Sequence, residues 1–483
     1  MGQLHILLLP VMAHGHTIPI LDMAKLFTSR GLKTTIVSTP SFSHPIKRAQ
    51  ESGHDIGLSI LKFPPEKSSL PENILSLDQA STPDLLAKFF EALSLLQEPV
   101  EKLLQELNPD CLISDVFLPW TTNSAAKFGI PRLVFHGTSG FALCASGQMH
   151  IHKPYKDVTF DSEPFVLPNL PHKLTFTRTQ LSPSELVEDE SDHSKLWQKI
   201  RESEKKSYGV IINSFYELES GYADYYKNIM GMKAWHIGPL LLCNNEGAKE
   251  KAHRGKESAI DENKCLAWLG SKKPNSVVYV CFGSMATFTQ AQLRETAAGL
   301  EASGQDFIWV VRQGKNEDIF LPDQEFEERI KGKGLIIRGW APQVMILNHP
   351  SIGAFMTHCG WNSTLEGICA GVPMVTWPTF AEQFYNEKLV TEVLGTGVSV
   401  GSKKWAPRGN EGVGREAVEM GVRRVMDGEG SEETRRKAKG YKEMARKAVE
   451  KGGSSHGGLN DLIEELSIYV PPKKEEISIM LFY

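Results

Sequence analysis

The sequence predicts two doubly wound α/β domains facing a cleft, and three observations carry that expectation. Short apolar runs alternate with amphipathic helical stretches in both halves of the chain, the pattern of a parallel sheet covered by helices on each face. A polar, charged stretch, CNNEGAKEKAHRGKESAIDEN, separates the two series. The length of 483 residues also exceeds one average domain and fits two.

In the first series, strand-like runs at 6–9 and 34–38 flank a helix at 18–29. A strand at 58–63, a long helix at 83–107 and strands at 111–114 and 133–135 follow, the last two separated by a helix at 119–127. From 141 to 192 the pattern loosens into prolines and acidic residues, where short helices and loops are expected to line whatever this half binds. Strands at 210–213 and 234–239 end the first unit. The second series begins near Cys265, with strands at 277–282, 307–311 and 335–337 and a helix at 291–303. Further strands at 352–356 and 373–376 precede helices at 385–394, 415–426 and 432–451, a Gly/Ser break at 452–458 and a last amphipathic helix at 459–467. The expected division is 1–242, a linker at 243–262 mobile over 248–256, 263–452, and a closing segment 453–483 whose tail from Pro471 carries no motif.

Bulk properties exclude several classes. A hydrophobic content of 41% with 23% charged residues is that of a soluble globular protein. A net charge of −5 without a basic arm argues against general nucleic-acid binding. The seven cysteines show no paired spacing, which suits buried thiols in a reducing compartment. No apolar run is long enough to span a bilayer. The run 4–13 lacks the basic flank and cleavage-like site of a signal peptide, so it reads as a buried first strand. A cytoplasmic monomer is expected.

The chemistry concentrates in residues 340–383, WAPQVMILNHPSIGAFMTHCGWNSTLEGICAGVPMVTWPTFAEQ. It reads as strand, turn, helix, strand, turn, with Asn362 and Ser363 as helix-starting residues after His358-Cys359-Gly360. A helix N-terminus at the carboxyl end of a parallel strand binds phosphate, since free N–H groups and the positive dipole end coincide there. His358 can donate to a phosphate oxygen, and Glu366, one turn on, can hold two ribose hydroxyls. Trp340 offers a flat face to a base and Gln343 an amide to its edge. Trp361, Glu382 and Gln383 remain for a sugar: Glu382 accepts when ionised, and Gln383 both donates and accepts. The segment reads as a nucleotide-sugar site.

Upstream, MAHGHTIP opens the first helix, and Asp115 ends the strand at 111–114, so both lie at the sheet edge where open α/β folds bind ligands. His16 can serve as a base if a carboxylate such as Asp115 fixes its other nitrogen. Competing readings are a loop or capping histidine, a strand-end cap for Asp115, and a metal trio of His14, His16 and Asp115. No Asp-x-Asp pair occurs, so no acidic metal clamp is visible. Gly412-Val413-Gly414-Arg415-Glu416-Ala417 fits a dinucleotide fingerprint by letter but follows a polar run. Asn362-Ser363-Thr364 is a glycosylation sequon inside the nucleotide segment.

The 340–383 segment resembles the signature box of plant UDP-dependent glycosyltransferases, the inverting, metal-independent enzymes of glycosyltransferase family 1. The resemblance extends to MAHGHTIPILDMAKLF, CLISD, VVYVCFGS and AEQF, and is nearest to the branch acting on flavonoids, coumarins, other phenolics and triterpenoids. It implies a GT-B fold whose last helix crosses back to the first domain, with His16 as catalytic base and Asp115 as its partner. It further implies donor contacts from Ser284, Trp340, Ala341, Gln343, His358, Trp361, Asn362, Ser363, Glu366, Glu382 and Gln383, with no cofactor or metal. Gln383 matches the ending associated with glucose, and no arginine stands at 361 or 383 to meet a glucuronate. The implied partners are a UDP-sugar, UDP-glucose first, and a small apolar acceptor held near Phe117, Trp120 and Phe141, with Leu118 and Phe89 as further candidates. The alternatives are another UDP-sugar donor on this fold, a phosphorylase, which would need a cofactor lysine that is not evident, and a non-catalytic UDP-binding protein.

Overall fold

A computed structural model describes residues 3–62, 68–80, 82–186, 191–243, 254–312, 324–407 and 412–471. Two parallel sheets organise them. The first contains β1 (His5–Leu9), β2 (Lys33–Ser38), β3 (Ile56–Ile60), β4 (Cys111–Asp115), β5 (Arg132–Phe135), β8 (Gly209–Ile212) and β9 (Ala234–His236), in the spatial order β3-β2-β1-β4-β5-β8-β9. Between β5 and β8 the short antiparallel pair β6 (Phe165–Leu167) and β7 (Leu174–Phe176) stands apart. The second sheet contains β10 (Val277–Cys281), β11 (Asp306–Val311), β12 (Gly334–Arg338), β13 (Ile352–Thr357), β14 (Met374–Thr376) and β15 (Gly397–Ser399), in the order β12-β11-β10-β13-β14-β15.

Each order reverses once, between β1 and β4 in the first sheet and between β10 and β13 in the second. At such a reversal the connections leave in opposite directions and open a crevice beyond the strand ends. Register brings the ends level: Leu9 lies beside Ser114, and Cys281 beside Thr357. The central strands are apolar because both faces are covered; Leu7, Leu8, Val278 and Val280 are fully buried. Each such side chain contributes about 1.5–3 kcal/mol over its exposed state.

Several expected elements are redrawn. The first helix is His14–Ser29 and starts before 18. The long helix at 83–107 is two, Pro83–Ser94 and Gln97–Leu107, because Pro99 has no N–H for the Leu95 carbonyl. Within the loose region lies a thirteen-residue helix, Gly140–His152, apolar nearly all round and packed into the core. The helix at 385–394 becomes Gln383–Lys388 followed by a wider π turn, Leu389–Val393. The last helix is Ser454–Ser467 and begins inside the expected Gly/Ser break. Gly458 there meets the His236 carbonyl, where a Cβ would stand 2.7 Å away, so the helix lies close on β9. Its Leu459, Leu462 and Leu466 join the core cluster of Ile6 and Leu8 of the first sheet and Ile20 of the first helix. Of the linker, 244–253 lies outside the described residues, as do 472–483 of the tail.

Candidate active site

The first crevice is shaped by a proline. Pro19 sits inside the first helix and has no N–H, so the carbonyl four residues back, that of Gly15, receives no helical bond. Asn362 of the second half donates its Nδ2 to that carbonyl at 2.6 Å. His16 thereby lies on a turn tied to both halves. Its Nδ1 is 2.6 Å from Asp115 Oδ2, and the other Asp115 oxygen accepts from the Phe117 N–H at 3.0 Å. Asp115 is fully buried, while His16 opens onto the cleft. Burial pulls the imidazole pKa down, but the charge and hydrogen bond of Asp115 outweigh it, aided by Glu382 and Asp78, and the net direction is up. With Nδ1 committed, Nε2 is the nitrogen left for a ligand.

His14 turns to a different carboxylate, with Nδ1 2.7 Å from Asp78 Oδ2. The two histidines therefore do not share Asp115, and the trio weighed as a metal site does not assemble. Among the described residues no group of three His, Cys, Asp or Glu side chains is arranged to hold a metal ion.

At the second crevice, the turn after β10 carries Gly283 at φ +71°, and the turn after β13 carries His358. A Cβ on Gly283 or Gly360 would stand 2.6 or 2.5 Å from the His358 ring, so the imidazole is clamped between two glycines. Burial pushes its pKa down to about 4, leaving it neutral. The helix Trp361–Ala370 starts on Gly360 with no side-chain cap. Asn362 and Ser363 were expected to cap it, but Asn362 reaches Gly15 and the Ser363 hydroxyl accepts from Gln343 Nε2 at 3.0 Å. Apart from the Trp361 N–H, which Glu382 accepts, the first turn keeps its N–H groups for an anion.

Trp340, Ala341, Gln343 and Ser284 also line the cleft. The linker residues expected to be mobile at 254–256 instead lie against Trp340. The Trp340 ring N–H donates to the Arg254 carbonyl at 3.2 Å, Lys256 sits over the ring, and a Cβ on Gly255 would be 2.4 Å from it. The Arg254 guanidinium bridges Glu366 and Asp22, and Gln343 Nε2 donates to the second Glu366 oxygen at 2.7 Å. A ribose reaches Glu366 only by sharing or displacing these donors.

The three sugar candidates are each partly engaged by protein partners. Gln383 is buried, and its Oε1 accepts from Thr379 N, Thr379 Oγ1 and Phe380 N at 2.8–3.0 Å, so only its NH₂ remains to donate. The Trp361 indole is buried, and its N–H donates to the Asn213 carbonyl of the first half at 2.8 Å, leaving no donor for a sugar. Glu382 accepts from Trp361 N and Asn386 Nδ2, with burial raising its carboxyl pKa.

On the acceptor side, Phe117 and Trp120 line the cleft, and the Phe117 ring centre is 5.8 Å from that of His16. Phe141 does not join them: it is fully buried and stacks edge-on with Tyr222 at 4.6 Å, as core. Leu118 and Phe89 are core as well. Two aromatics that the sequence reading missed complete the wall, Phe90 at 5.5 Å and Trp197 at 5.7 Å from Phe117. The Phe89-Phe90 pair on an amphipathic helix was the available signal, since neighbours on a helix face different ways. The whole cleft holds about 3070 Å³, room for two ligands of ordinary pocket size.

Two opposed crevices, one with a carboxylate-held histidine and one with an uncapped helix beside an aromatic face, define a GT-B transferase that moves a group from a nucleotide. The chain belongs to the plant UDP-dependent glycosyltransferases. The family model for UDP-glucuronosyl and UDP-glucosyl transferases matches residues 257–412, and that for the N-terminal glycosyltransferase domain matches 2–242. The chain is 58% identical to the scopoletin glucosyltransferase of Nicotiana tabacum, covering 97% of this chain and 99% of that one. It is 53% identical to the anthocyanin 3'-O-beta-glucosyltransferase of Gentiana triflora, over 97% and 99%. Among solved structures it is similar to UGT73P12 of Glycyrrhiza uralensis, complexed with glycyrrhetinic acid 3-O-monoglucuronide, with a TM-score of 0.89, 39% identity and coverage of 100% and 97%. Among the described residues no helix is long and apolar enough to cross a membrane.

Proposed function

We propose that the enzyme transfers glucose from UDP-glucose to a hydroxyl of an apolar phenolic, a flavonoid or coumarin, with inversion and without a metal. The observation that carries this reading is the His16–Asp115 pair at 2.6 Å, open to the same cleft as the uncapped helix at Trp361. His16 Nε2 takes the acceptor proton as the oxygen attacks the anomeric carbon from the side opposite the diphosphate. Asp115 steadies the imidazolium that forms. The departing diphosphate meets the N–H groups of the helix and the neutral His358, which donates without adding charge. The Gln383 NH₂ and the Glu382 carboxylate bond the sugar hydroxyls. The glucosyltransferase names of the two plant relatives support glucose as donor and a phenolic as acceptor. The test is an acceptor panel, scopoletin and flavonols against triterpenoid alcohols, with each UDP-sugar in excess EDTA. Phenolics with UDP-glucose are expected to lead and UDP-glucuronic acid to trail. Activity lost in EDTA and restored only by Mg²⁺ or Mn²⁺ overturns the metal-free mechanism.

A further inference from the structure

Behind the catalytic strand end lies a buried cation that the reaction as described does not use. Arg132, the first residue of β5, is 3% exposed. Its Nε donates to Ser114 Oγ at 2.8 Å and its Nη2 to the Asp115 carbonyl at 3.1 Å. Its Nη1 reaches Thr122 Oγ1, Ser203 Oγ and Ser207 Oγ at 3.2, 3.1 and 2.9 Å. Every one of these partners is neutral, and among the described residues no carboxylate forms an ion pair with Arg132. Taking a charge out of water is costly, and a brace made only of hydrogen bonds needs no net charge. The charge therefore has to be accounted for by what surrounds it.

The groups that face this region come from several elements. Glu204 lies on the helix Asp192–Lys206, with His136 3.1 Å from it and the Tyr226 hydroxyl donating to it at 2.8 Å. Asp115 and His16 lie at the crevice, with Asp78 and Glu382 acting on His16 from either side of the cleft. Arg132 is the cation set among these acids on the interior side, and Glu204 and Asp115 both act on it. Its Ser203 and Ser207 contacts also tie the catalytic strand end to the helix that carries Trp197, whose ring meets Phe117 beside His16.

We infer that Arg132 is a positioning residue for transfer: its guanidinium ties the Asp115 backbone to the acceptor-lining helix, and its charge offsets the acids gathered around the His16–Asp115 pair. This rests on the assignment of His16 and Asp115 as the catalytic pair. A cation near an imidazole lowers its apparent pKa, so removing the cation raises it.

The experiment compares Arg132→Gln, Arg132→Lys and Asp115→Asn with the parent, reading kcat/KM against pH on an aliphatic alcohol acceptor, UDP affinity by calorimetry, and thermal unfolding. Arg132→Gln is expected to move the acidic limb upward by about one pH unit, a modest charge–charge effect within protein, and to lower kcat about tenfold. Arg132→Lys keeps the charge but has only three donors for five acceptors, so the limb stays while kcat still falls severalfold. UDP affinity stays within twofold in both. An Arg132→Gln limb at the parent pH, with only the melting temperature lowered, overturns the inference and leaves the catalytic pair standing. If the glutamine variant does not fold, an Arg132→Lys enzyme with parental kcat overturns it equally. Parental activity in Asp115→Asn instead overturns the catalytic pair itself, which separates the two failures.

Discussion

His16 and His358 each follow a strand at a topological reversal, yet the surroundings give them opposite proton chemistry. His16 has a buried carboxylate 2.6 Å away, and its pKa is raised despite burial. His358 is clamped between two glycines with no carboxylate partner, and its pKa falls to about 4. The first can hold a proton taken from a substrate; the second can only offer the one it has. A strand end at the reversal thus yields a base or an anion donor according to whether the strand beside it ends in an acid. Beside β1 stands β4, which ends in Asp115, whereas beside β13 stands β10, which ends in Cys281.

The comparison predicts separable defects. His16→Ala is expected to lower turnover by roughly two to four powers of ten, the contribution of a positioned base, with UDP affinity nearly intact. Full activity on an aliphatic alcohol breaks the assignment. The pH profile sharpens it: His16 must be neutral to act, and its pKa is raised above 6.5. The acidic limb of kcat/KM should therefore lie above pH 6.5, and a limb below that value contradicts the Asp115 pairing.

His358→Ala should do the reverse. Losing one donor to a charged phosphate costs about 1.5–3 kcal/mol, read by calorimetry as weaker UDP binding that is constant from pH 6 to 8 because the ring is already neutral. UDP affinity that rises steeply as pH falls over that range means His358 binds as a cation, and the contrast fails. Gln383→Ala comes next in size, at about 1–3 kcal/mol in transfer efficiency for a lost sugar contact. Because Gln383 Oε1 also holds the Thr379–Phe380 turn, some thermal stability should go with it. Unchanged efficiency with UDP-glucose removes Gln383 from the sugar site.

The candidate donor residues stand out in the sequence because they are local. Residues 340–383 carry base, ribose, phosphate and sugar candidates on consecutive turns of one strand–helix–strand unit, and alternating apolar runs place that unit at a sheet edge. What could not be read there was occupancy: the indole of Trp361 and the Oε1 of Gln383 are spent on partners distant in the chain or hidden in a turn. The acceptor side gathers Phe90, Phe117 and Trp197 from three separate elements, and no spacing rule joins them. Phe141 misled for a related reason. Its helix is apolar through most of its length and carries little periodicity to reveal which face meets the core.

The smallest expected effect lies where the two crevices meet. Pro19 frees the Gly15 carbonyl, and Asn362 takes it, joining the turn of His16 to the helix that faces the diphosphate. Pro19→Ala restores an N–H four residues on, which competes for that carbonyl within the helix. The loss is one neutral hydrogen bond between the halves, worth about 0.5–1.5 kcal/mol, so kcat should fall by about two- to tenfold. The fold should not weaken, since alanine suits a helix interior better than proline. Asn362→Ala removes the same bond from the other side. If the bond is what matters, the double variant falls no further than the more damaged single one, whereas effects that multiply show that proline and asparagine act independently.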